Sequence, residues 1–383
     1  MGKKKHQKVI ILNHGLHIAG VSRTLVNFAN SLAAHGYDVI VKIEIDDFTL
    51  ASELDPRVKR SLFFKEPHPF GLRVKGFLRF YAMWRDWLFR QSPKRQYRFV
   101  VRKKYDIEIA FNRGAAARII AASNRKNTRK LAWVHTDYMN NESYLAGFST
   151  EEEAVAAYRA FDSVICVSEQ TKRSFIERFG DTENLRVCAN ICDRAGMMRA
   201  GDEEDIPKNG FTFLSVGRLS EQKNVKLLLE TAAAIRDAGK NVYWWIVGDG
   251  ECRKSLEQIC ADEGLNNVTF FGACSNPYPY FKAADVYVST SLCEGLSTTT
   301  IEALFFGKPT VVIDCAGMKD ILGESRYGCV VSPTEKAKLR DVLIRLSEDG
   351  EFREKWQNAA AERAEAFDPV VCFERIEREI NGI

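Results

Sequence analysis

Short apolar runs alternate with longer amphipathic stretches along most of this chain. Near the start, the apolar run "KVIILN" (8–13) precedes the helical pattern "RTLVNFANSLAAHG" (23–36), and the strand-like "YDVIVKIEI" (37–45) follows. This order and spacing predict a βαβ unit, whose two strands are parallel. Further buried strands are predicted at "DIEIAF", "KLAWVH" and "DSVICVS".

The alternating pattern stops at residues 200–210 and then begins again. The segment "AGDEEDIPKNG" is acidic, contains Pro and Gly and lacks apolar periodicity, which is typical of a linker between domains. We therefore expect an α/β protein with two doubly wound, Rossmann-like domains and a cleft between them. The N-terminal domain is expected to span residues 1–199 and the second domain 211–365, with a C-terminal helix at 366–383 that returns to the N-terminal domain. The strands and helices predicted after the linker are "FTFLSVG", "NVKLLLETAAAIRDAG", "VYWWIVG", "CRKSLEQICADEG", "VTFFG", "NPYPYFKAA", "DVYVST", "TTIEALFFG" and "PTVVID".

The composition helps to predict the cellular compartment and agrees with the predicted fold. The 383 residues are 45% hydrophobic and 28% charged, with a net charge of +4, as in ordinary globular proteins of two-domain size. No run reaches the roughly 18–20 apolar residues of a membrane span, and "VIIL" is too short for a secretory signal. The ten cysteines lie mostly in apolar runs without metal-ligand spacing, so we expect a cytoplasmic protein with neither disulfides nor zinc.

One stretch is strongly basic. Residues 59–104 contain fourteen Lys or Arg and only two acidic residues. Aromatic residues occur in it at helical spacing between 77 and 88. Residues 73–104 are therefore expected either to contact an anionic membrane surface or to form a helix whose aromatics belong to the core. No nucleic-acid-binding motif accompanies the charge, so no nucleic-acid partner is expected.

The predicted strand "FTFLSVG" ends in a cationic loop, "GRLSEQKN". Arg218 and Lys223 lie in this loop, at the carboxyl end of a parallel strand. Two cations at such a position suit a diphosphate, which an arginine can bind with two parallel hydrogen bonds. The alternative is a pair of solvated loop cations.

The stretch "CEGLSTTTIEALFFGKPT" (293–310) contains two glutamates around a run of hydroxyl residues. Ser297 is a suitable helix cap, and free amides at residues 297–299 would then favour an anion. Glu294 precedes this site and Glu302 follows it, and carboxylates accept hydrogen bonds from paired sugar hydroxyls. The arrangement fits a nucleotide-sugar. Taken alone, Glu302 also fits a first-turn glutamate that stabilises its own helix.

Five motifs in one order resemble a known family. The motifs "SVGRLSEQKN", "VGDGE", "NPYPYFKAADVYVST", "SLCEGLSTTTIEALFFGKPTVV" and "GMKDIL" resemble the nucleotide-sugar domain of retaining GT-B glycosyltransferases of family four. That family is marked by two glutamates separated by seven residues, as Glu294 and Glu302 are. The resemblance covers residues 211–322 and extends more loosely to "AGVSRTL" and "WVH".

The resemblance implies roles for individual residues. It implies that Arg218 and Lys223 bind the donor diphosphate, Glu294 the hexose and Glu302 the ribose. The backbone of Gly272–Asn276 is expected to contact the base. The donor site also includes Leu296, Ser297 and Thr298 at the start of the helix. Transfer is expected to retain the anomeric configuration without a cofactor or a metal ion, because the two cations replace the metal.

The first domain, which is expected to bind the acceptor, contributes fewer candidates. Gly20, in "HIAGVSRTL", allows the backbone to approach a ligand at the start of a helix, although an ordinary βα loop is the alternative. His135 ends the strand "LAWVH" and matches the family position that contacts the donor sugar near the reacting carbon. Asp137 and Tyr138 are weaker candidates for contact with the acceptor.

The function expected from these features is transfer of a hexose or N-acetylhexosamine. The donor is a UDP-sugar, the acceptor is lipid-linked or a glycan, and the setting is cell-surface polysaccharide assembly, including the inner membrane face. A non-catalytic nucleotide-sugar-binding protein remains an alternative. A dinucleotide-dependent oxidoreductase is a weaker alternative, because the chain lacks a complete G-x-G-x-x-G.

Overall fold

The structure is a computed structural model that describes residues 7–17, 20–63, 91–139 and 145–383. The helix predicted at 77–88 and residues 18 and 19, which directly precede Gly20, lie outside these ranges. In chain order the strands are β1 (Lys8–Asn13), β2 (Asp38–Ile43), β3 (Lys59–Leu62), β4 (Ile107–Ala110), β5 (Arg129–Val134), β6 (Ser163–Cys166), β7 (Leu185–Val187), β8 (Thr212–Val216), β9 (Tyr243–Val247), β10 (Val268–Gly272), β11 (Val286–Ser289), β12 (Thr310–Ile313) and β13 (Cys329–Val331).

Helices lie in the connections between most of these strands. They are α1 (Gly20–Ala34), α2 (Pro93–Val100), α3 (Ala115–Ala121), α4 (Glu151–Arg159), α5 (Glu169–Phe179), α6 (Arg194–Gly201), α7 (Val225–Asp237), α8 (Arg253–Asp262), α9 (Tyr278–Ala283), α10 (Thr298–Phe305), α11 (Met318–Leu322), α12 (Lys336–Glu348), α13 (Gly350–Ala364) and α14 (Pro369–Asn381). Short 3₁₀ helices span Thr49–Glu53, Glu221–Lys223 and Glu365–Phe367.

The strands form two parallel sheets, which confirms the predicted α/β class. The seven-stranded sheet has the order β3-β2-β1-β4-β5-β6-β7, and the six-stranded sheet has the order β10-β9-β8-β11-β12-β13. Central strands such as β4 are buried along their whole length, as parallel strands covered on both faces must be. In each sheet the strand order reverses once, between β1 and β4 or between β8 and β11. Ligands of such folds bind at this switch point, beyond the carboxyl ends of the strands.

The described chain divides into two compact units. The first unit comprises the residues up to Val167 together with Thr171–Cys188 and Phe373–Ile383, and the second comprises Ser168–Gln170 and Ala189–Cys372. Each has its own apolar core. In the first unit Phe28 and Leu32 of α1 are buried at helical spacing, and in the second unit Leu228 and Ile235 of α7 are buried in the same way.

The boundary between the units differs from the predicted one. The main segment of the second unit begins at Ala189. Residues 202–210, which contain neither helix nor strand, therefore join α6 to β8 within this unit. The reason is close packing that the acidic composition does not reveal. A Cβ atom on Gly201 would lie 2.9 Å from the Phe306 ring, and the backbone oxygen of Ala200 accepts a hydrogen bond from Asn276.

The last turns of the chain belong to the first unit. Glu379 of α14 accepts a hydrogen bond from the Ser163 hydroxyl at 2.8 Å, and Glu377 accepts one from the Tyr37 hydroxyl at 3.1 Å. The rings of Phe373 and His35 stack with centroids 3.8 Å apart. The C-terminal helix thus completes the surface of the first sheet's unit, although it follows the second unit in sequence.

Candidate active site

A pocket opens at the switch point of the second sheet. It is lined by the end of β8 with Gly217 and Arg218, by Lys223, and by Ser289–Ser291 at the end of β11. All of these residues belong to the second unit. The candidate site therefore lies where an open parallel sheet offers a crevice for a ligand.

Glycines allow the strand ends around this pocket to approach closely. The Gly217 amide donates to the Val247 carbonyl at 3.0 Å, and the Gly248 amide donates to the Gly272 carbonyl at 2.8 Å. Gly248 has a φ of +142°, and a Cβ atom there would lie 1.9 Å from the Gly217 carbonyl oxygen. The first glycine of "VGDGE" is thus required by backbone packing, which fixes the position of the loop that contains Arg218.

Lys223 and Glu294 form an ion pair beside the pocket. The Lys223 ammonium donates to Glu294 Oε1 at 2.6 Å, and the two side chains are 22% and 13% exposed. Burial lowers the pKa of Lys223, but the surrounding charges, Glu294 foremost, outweigh this effect and raise it overall. We expected these residues to bind different parts of a donor, and their direct contact is a finding of the tertiary structure.

Two loops bring the members of this pair together. The Thr290 hydroxyl donates to the carbonyls of Lys223 and Asn224 at 3.1 and 2.9 Å. The Leu292 amide donates to the Gln222 carbonyl at 2.8 Å. The loop after β8 and the loop after β11 therefore form one hydrogen-bonded unit around the ion pair.

Arg218 is the available cation of the site. Its side chain is exposed, and its guanidinium makes no hydrogen bond or ion pair with the residues that the structure describes. An unpaired guanidinium next to a strand end can bind an incoming anion without first breaking a contact.

The start of α10 has the predicted cap. The helix begins at Thr298, and Ser297, which is 2% exposed, accepts a hydrogen bond from the Thr300 amide. The Thr300 hydroxyl also donates to Ser297 Oγ at 2.9 Å, and the Tyr287 hydroxyl donates to Thr299 Oγ1 at 2.8 Å. Tyr287 is a member of this network that the sequence did not indicate, because a tyrosine in a buried strand has the pattern of an ordinary core residue.

Glu302 does not have the position expected of a first-turn glutamate that stabilises its own helix. It is the fifth residue of α10, beyond the first turn, and only 5% exposed. Burial first, and then the negative charge of Glu302, raises the pKa of Cys192. Stabilisation of the helix dipole from the first turn therefore does not explain this glutamate.

The segment Gly272–Asn276 is ordered by its own contacts. Gly272 has a φ of +77°, and a Cβ atom there would lie 2.9 Å from Arg253 Nη1. The Asn276 amide donates to the Ala200 carbonyl and to Glu203, each at 2.9 Å, and its oxygen accepts from the Tyr278 amide. The Asn276 side chain is therefore occupied by contacts within the protein.

In the first unit, Gly20 starts α1 and His135 directly follows β5. The Thr24 hydroxyl donates to the Gly20 carbonyl at 2.9 Å. The His135 ring packs 4.8 Å from the Phe111 ring, and burial lowers the pKa of His135 to about 4, against a backbone hydrogen bond to Phe111 that raises it. His135 is therefore neutral near pH 7.

Asp137 and Tyr138 differ from their expected roles. Tyr138 is fully buried, and its hydroxyl is 2.9 Å from that of Tyr158, so it is a core residue and not an acceptor contact. Asp137 is 2% exposed and accepts a hydrogen bond from the Met139 amide at 3.0 Å. Asp137 therefore stabilises the turn after β5, and Tyr138 packs in the core of the first unit.

No helix within the described ranges is long and apolar enough to cross a membrane.

Two family models together match most of the chain. The model for glycosyl transferases group 1 matches residues 200–363, and the model for glycosyltransferase family 4 matches residues 18–195. The two matches meet near the boundary between the compact units.

Curated relatives are similar over large parts of the chain. An uncharacterized glycosyltransferase of Methanocaldococcus jannaschii is 27% identical over 284 residues, which are 63% of this chain and 69% of the relative. The GalNAc-α-(1→4)-GalNAc-α-(1→3)-diNAcBac-PP-undecaprenol α-1,4-N-acetyl-D-galactosaminyltransferase of Campylobacter jejuni is 24% identical over 366 residues, 94% of each chain.

A solved structure is similar over the whole chain. HepE of Anabaena, crystallised in complex with UDP and glucose, has a TM-score of 0.74 and 20% sequence identity, and the match covers 99% of this chain and 100% of HepE. At this identity the likeness shows the fold alone.

Proposed function

Since this chain belongs to the glycosyltransferases with a GT-B fold, we propose that it transfers a hexose or N-acetylhexosamine from a UDP-sugar. The acceptor in this proposal is lipid-linked or a glycan in cell-surface polysaccharide assembly, and the anomeric configuration is retained. The observation that carries the proposal is the pocket at the β8–β11 switch point, where Lys223 and Glu294 form a partly buried ion pair beside the exposed Arg218.

In this proposal, different site residues bind different groups of the donor. Arg218 and Lys223 bind the diphosphate, and the backbone at Leu296, Ser297 and Thr298 faces the same group. Glu294 binds hydroxyls of the transferred sugar and Glu302 binds those of the ribose. The backbone of Gly272–Asn276 contacts the base.

The contact between Lys223 and Glu294 refines these roles. The glutamate fixes the ammonium in a partly buried position, so the cation is in place before the donor binds. As the glycosidic bond breaks, negative charge develops on the leaving diphosphate, and Lys223 and Arg218 stabilise it. The acceptor oxygen forms the new bond to the anomeric carbon, and its proton passes to the leaving phosphate. The two cations supply the charge that a divalent metal supplies elsewhere, so no metal is required.

Neutral His135 is proposed to contact the transferred sugar. A neutral imidazole can exchange hydrogen bonds with a hydroxyl without adding charge near the reacting carbon. This role rests on the family resemblance and on the low pKa of His135.

The relatives support the choice of donor and acceptor. HepE was crystallised with UDP and glucose, and the Campylobacter relative is named for an undecaprenol-diphosphate acceptor. A non-catalytic nucleotide-sugar-binding protein is the main alternative, since it would retain the same donor site.

A panel of UDP-sugars tests the proposal without knowledge of the acceptor. We expect slow hydrolysis of one UDP-sugar, unchanged by EDTA, with the released sugar first appearing in the α configuration of the donor by NMR. Binding of UDP without hydrolysis or transfer of any UDP-sugar would favour the non-catalytic alternative. Inversion of the anomeric centre, or loss of activity in EDTA, would contradict the mechanism.

A further inference from the structure

The first sheet has a switch point of its own, between β1 and β4. Asn13 is the last residue of β1, Arg113 follows β4 and His135 follows β5. Since β1, β4 and β5 are neighbours in a parallel sheet, these three residues lie along one edge, where α/β folds bind ligands.

Each of the three has a buried polar atom without a partner. Among the side chains that the structure describes, Asn13 Oδ1, Arg113 Nη1 and His135 Nε2 are buried and make no hydrogen bond. Asn13 is only 1% exposed. A buried polar atom that stays unpaired destabilises the folded state, so such atoms in native proteins call for an explanation.

Of the three side chains, Arg113 is the one whose unpaired atom carries positive charge. It forms no ion pair with any residue in the described ranges, whereas Arg118 and Arg178 of the same unit lie 3.3 and 3.5 Å from Glu153 and Glu151. The groups that respond to its charge are the buried hydroxyls of Tyr138 and Tyr158, whose pKa values burial raises and Arg113 lowers. A guanidinium nitrogen that is withdrawn from water without a partner is unfavourable.

The chemistry of the three unpaired atoms indicates which ligand groups could hydrogen-bond to them. Arg113 Nη1 is a cationic donor, and an anionic oxygen is its strongest partner. Asn13 Oδ1 is an acceptor, which a hydroxyl can satisfy. Neutral His135, whose other ring nitrogen hydrogen-bonds the Phe111 backbone, also offers an acceptor at Nε2. A hydroxylated group that carries an oxyanion meets all three requirements.

We infer that Arg113 binds an oxyanion of the acceptor, a phosphate or a carboxylate, at the β1–β4 switch point, with Asn13 accepting from a neighbouring hydroxyl. This inference rests on the proposed function and on the expectation from the sequence that the first domain binds the acceptor. It assigns the acceptor to the anionic class and gives Arg113 a binding role.

The first test measures stability without ligand. Arg113→Met removes the charge and keeps most of the volume, so we expect a higher melting temperature in phosphate-free buffer. The matched change Arg118→Met, which removes a paired arginine from the same unit, should lower it. A melting temperature lowered by Arg113→Met as much as by Arg118→Met would show that Arg113 is structural and would overturn the inference.

The second test measures anion binding directly. With UDP at saturation, so that the donor site is occupied, sodium phosphate and sodium acetate are titrated against a chloride reference at equal ionic strength. We expect one of the two to raise the melting temperature of the wild type but not of Arg113→Met, and which anion acts identifies a phosphate or a carboxylate. Arg113→Lys, which keeps the charge and loses the planar fork, should respond weakly and serves if the methionine variant does not fold.

Equal shifts in wild type and both variants, or no shift with either anion, would overturn the inference. Absence of any UDP effect on the wild type would instead count against the proposed function. In that case the Arg113-dependent change in melting temperature with phosphate or acetate would still show whether Arg113 binds an anion.

Discussion

At the scale of single residues, the site depends on one contact that links two distant positions in sequence. Lys223 and Glu294 are 71 residues apart and meet at 2.6 Å. A carboxylate that is 13% exposed would be costly without the ammonium, and the ammonium would be mobile without the carboxylate. Each residue therefore has a structural role in addition to the ligand-binding role that we propose for it.

Lys223→Ala should lower turnover of the UDP-sugar strongly. Loss of a charge-assisted contact to the diphosphate costs on the order of 1.5–3 kcal/mol, which is about 10–100-fold in rate. Steady-state kinetics measures this, with Lys226→Ala as the control because Lys226 is exposed on α7, three residues away. Turnover of Lys223→Ala equal to that of the control would exclude Lys223 from the donor site.

The two glutamates should separate in their effect on UDP itself. Glu302→Gln should weaken binding of UDP because we propose that this carboxylate binds the ribose, whereas Glu294→Gln should leave UDP affinity nearly unchanged and impair sugar transfer. Isothermal calorimetry with UDP on both variants tests the division. Equal losses of UDP affinity would mean that the two carboxylates do not divide the donor in this way.

The low pKa of His135 predicts how the stability of the folded protein depends on pH. Its pKa is about 4 in the folded protein, against an ordinary value of 6.5, so below pH 6.5 the unfolded chain takes up a proton that the folded chain does not. Stability is therefore lost as the pH falls from about 6.5 towards 4, by up to about 2 kcal/mol between pH 7 and pH 5. His135→Gln should lack this component, which urea unfolding at the two pH values measures. A loss of equal size in both proteins would show that His135 titrates normally.

At the scale of elements, α2 is the described part of the basic stretch. Lys94, Arg95 and Arg98 are exposed on it, Phe99 is 37% exposed, and no acidic residue occurs between 91 and 104. An exposed cationic face without carboxylates suits an anionic lipid surface. Contact with a membrane through this stretch remains our proposal, while the aromatic helix predicted at 77–88 lies outside the described residues.

Changing Lys94, Arg95 and Arg98 together to Gln should weaken binding to phosphatidylserine vesicles. Each cation near such a surface contributes about 1 kcal/mol, and salt should reduce the attraction in the wild type. Co-sedimentation measures it. The control is the triple change to Gln of Lys336, Lys338 and Arg340 on α12, each of which already pairs with a carboxylate. The proposal would be contradicted if the wild-type protein did not bind anionic vesicles, or if the α2 variant bound them as strongly as the wild type does.

At the scale of the whole molecule, the chain crosses from the second unit back to the first within α14. Phe373, Ile376 and Ile380 are at most 3% exposed, and they belong to the unit that is formed mainly by the first half of the sequence. The stability of the first unit therefore depends on the last residues of the chain.

Ile376→Ala should destabilise the protein by about 2–5 kcal/mol, the usual cost of a cavity in a packed core. Val370→Ala on the same helix is the control, because Val370 is 62% exposed and an exposed substitution changes stability by about 0.5 kcal/mol or less. Chemical denaturation compares the two variants. Similar small effects would show that α14 packs only loosely.

The sequence by itself determined the class of fold and most central elements. Strand β1 was predicted with its observed bounds, and α7, β9 and β10 were predicted within one or two residues, because buried parallel strands and amphipathic helices leave apolar patterns that depend only on local order. The edge strands β3, β7 and β13 were not predicted. They are three or four residues long, and an edge strand needs less apolar sequence because one side is unpaired.

Only the tertiary structure decided which residues meet. The cap at Ser297 followed from local chemistry and was predicted, whereas the Lys223–Glu294 pair, the hydroxyl of Tyr287 at the start of α10 and the burial of Tyr138 depend on contacts between distant segments. The sequence also did not reveal that, among the described residues, Arg113 Nη1 is buried without a partner, because an arginine in a loop has the same pattern whether its nitrogens are solvated or buried. Local patterns record the burial that each element requires, but not its partner across the sheet, and that partner determines the chemistry of the site.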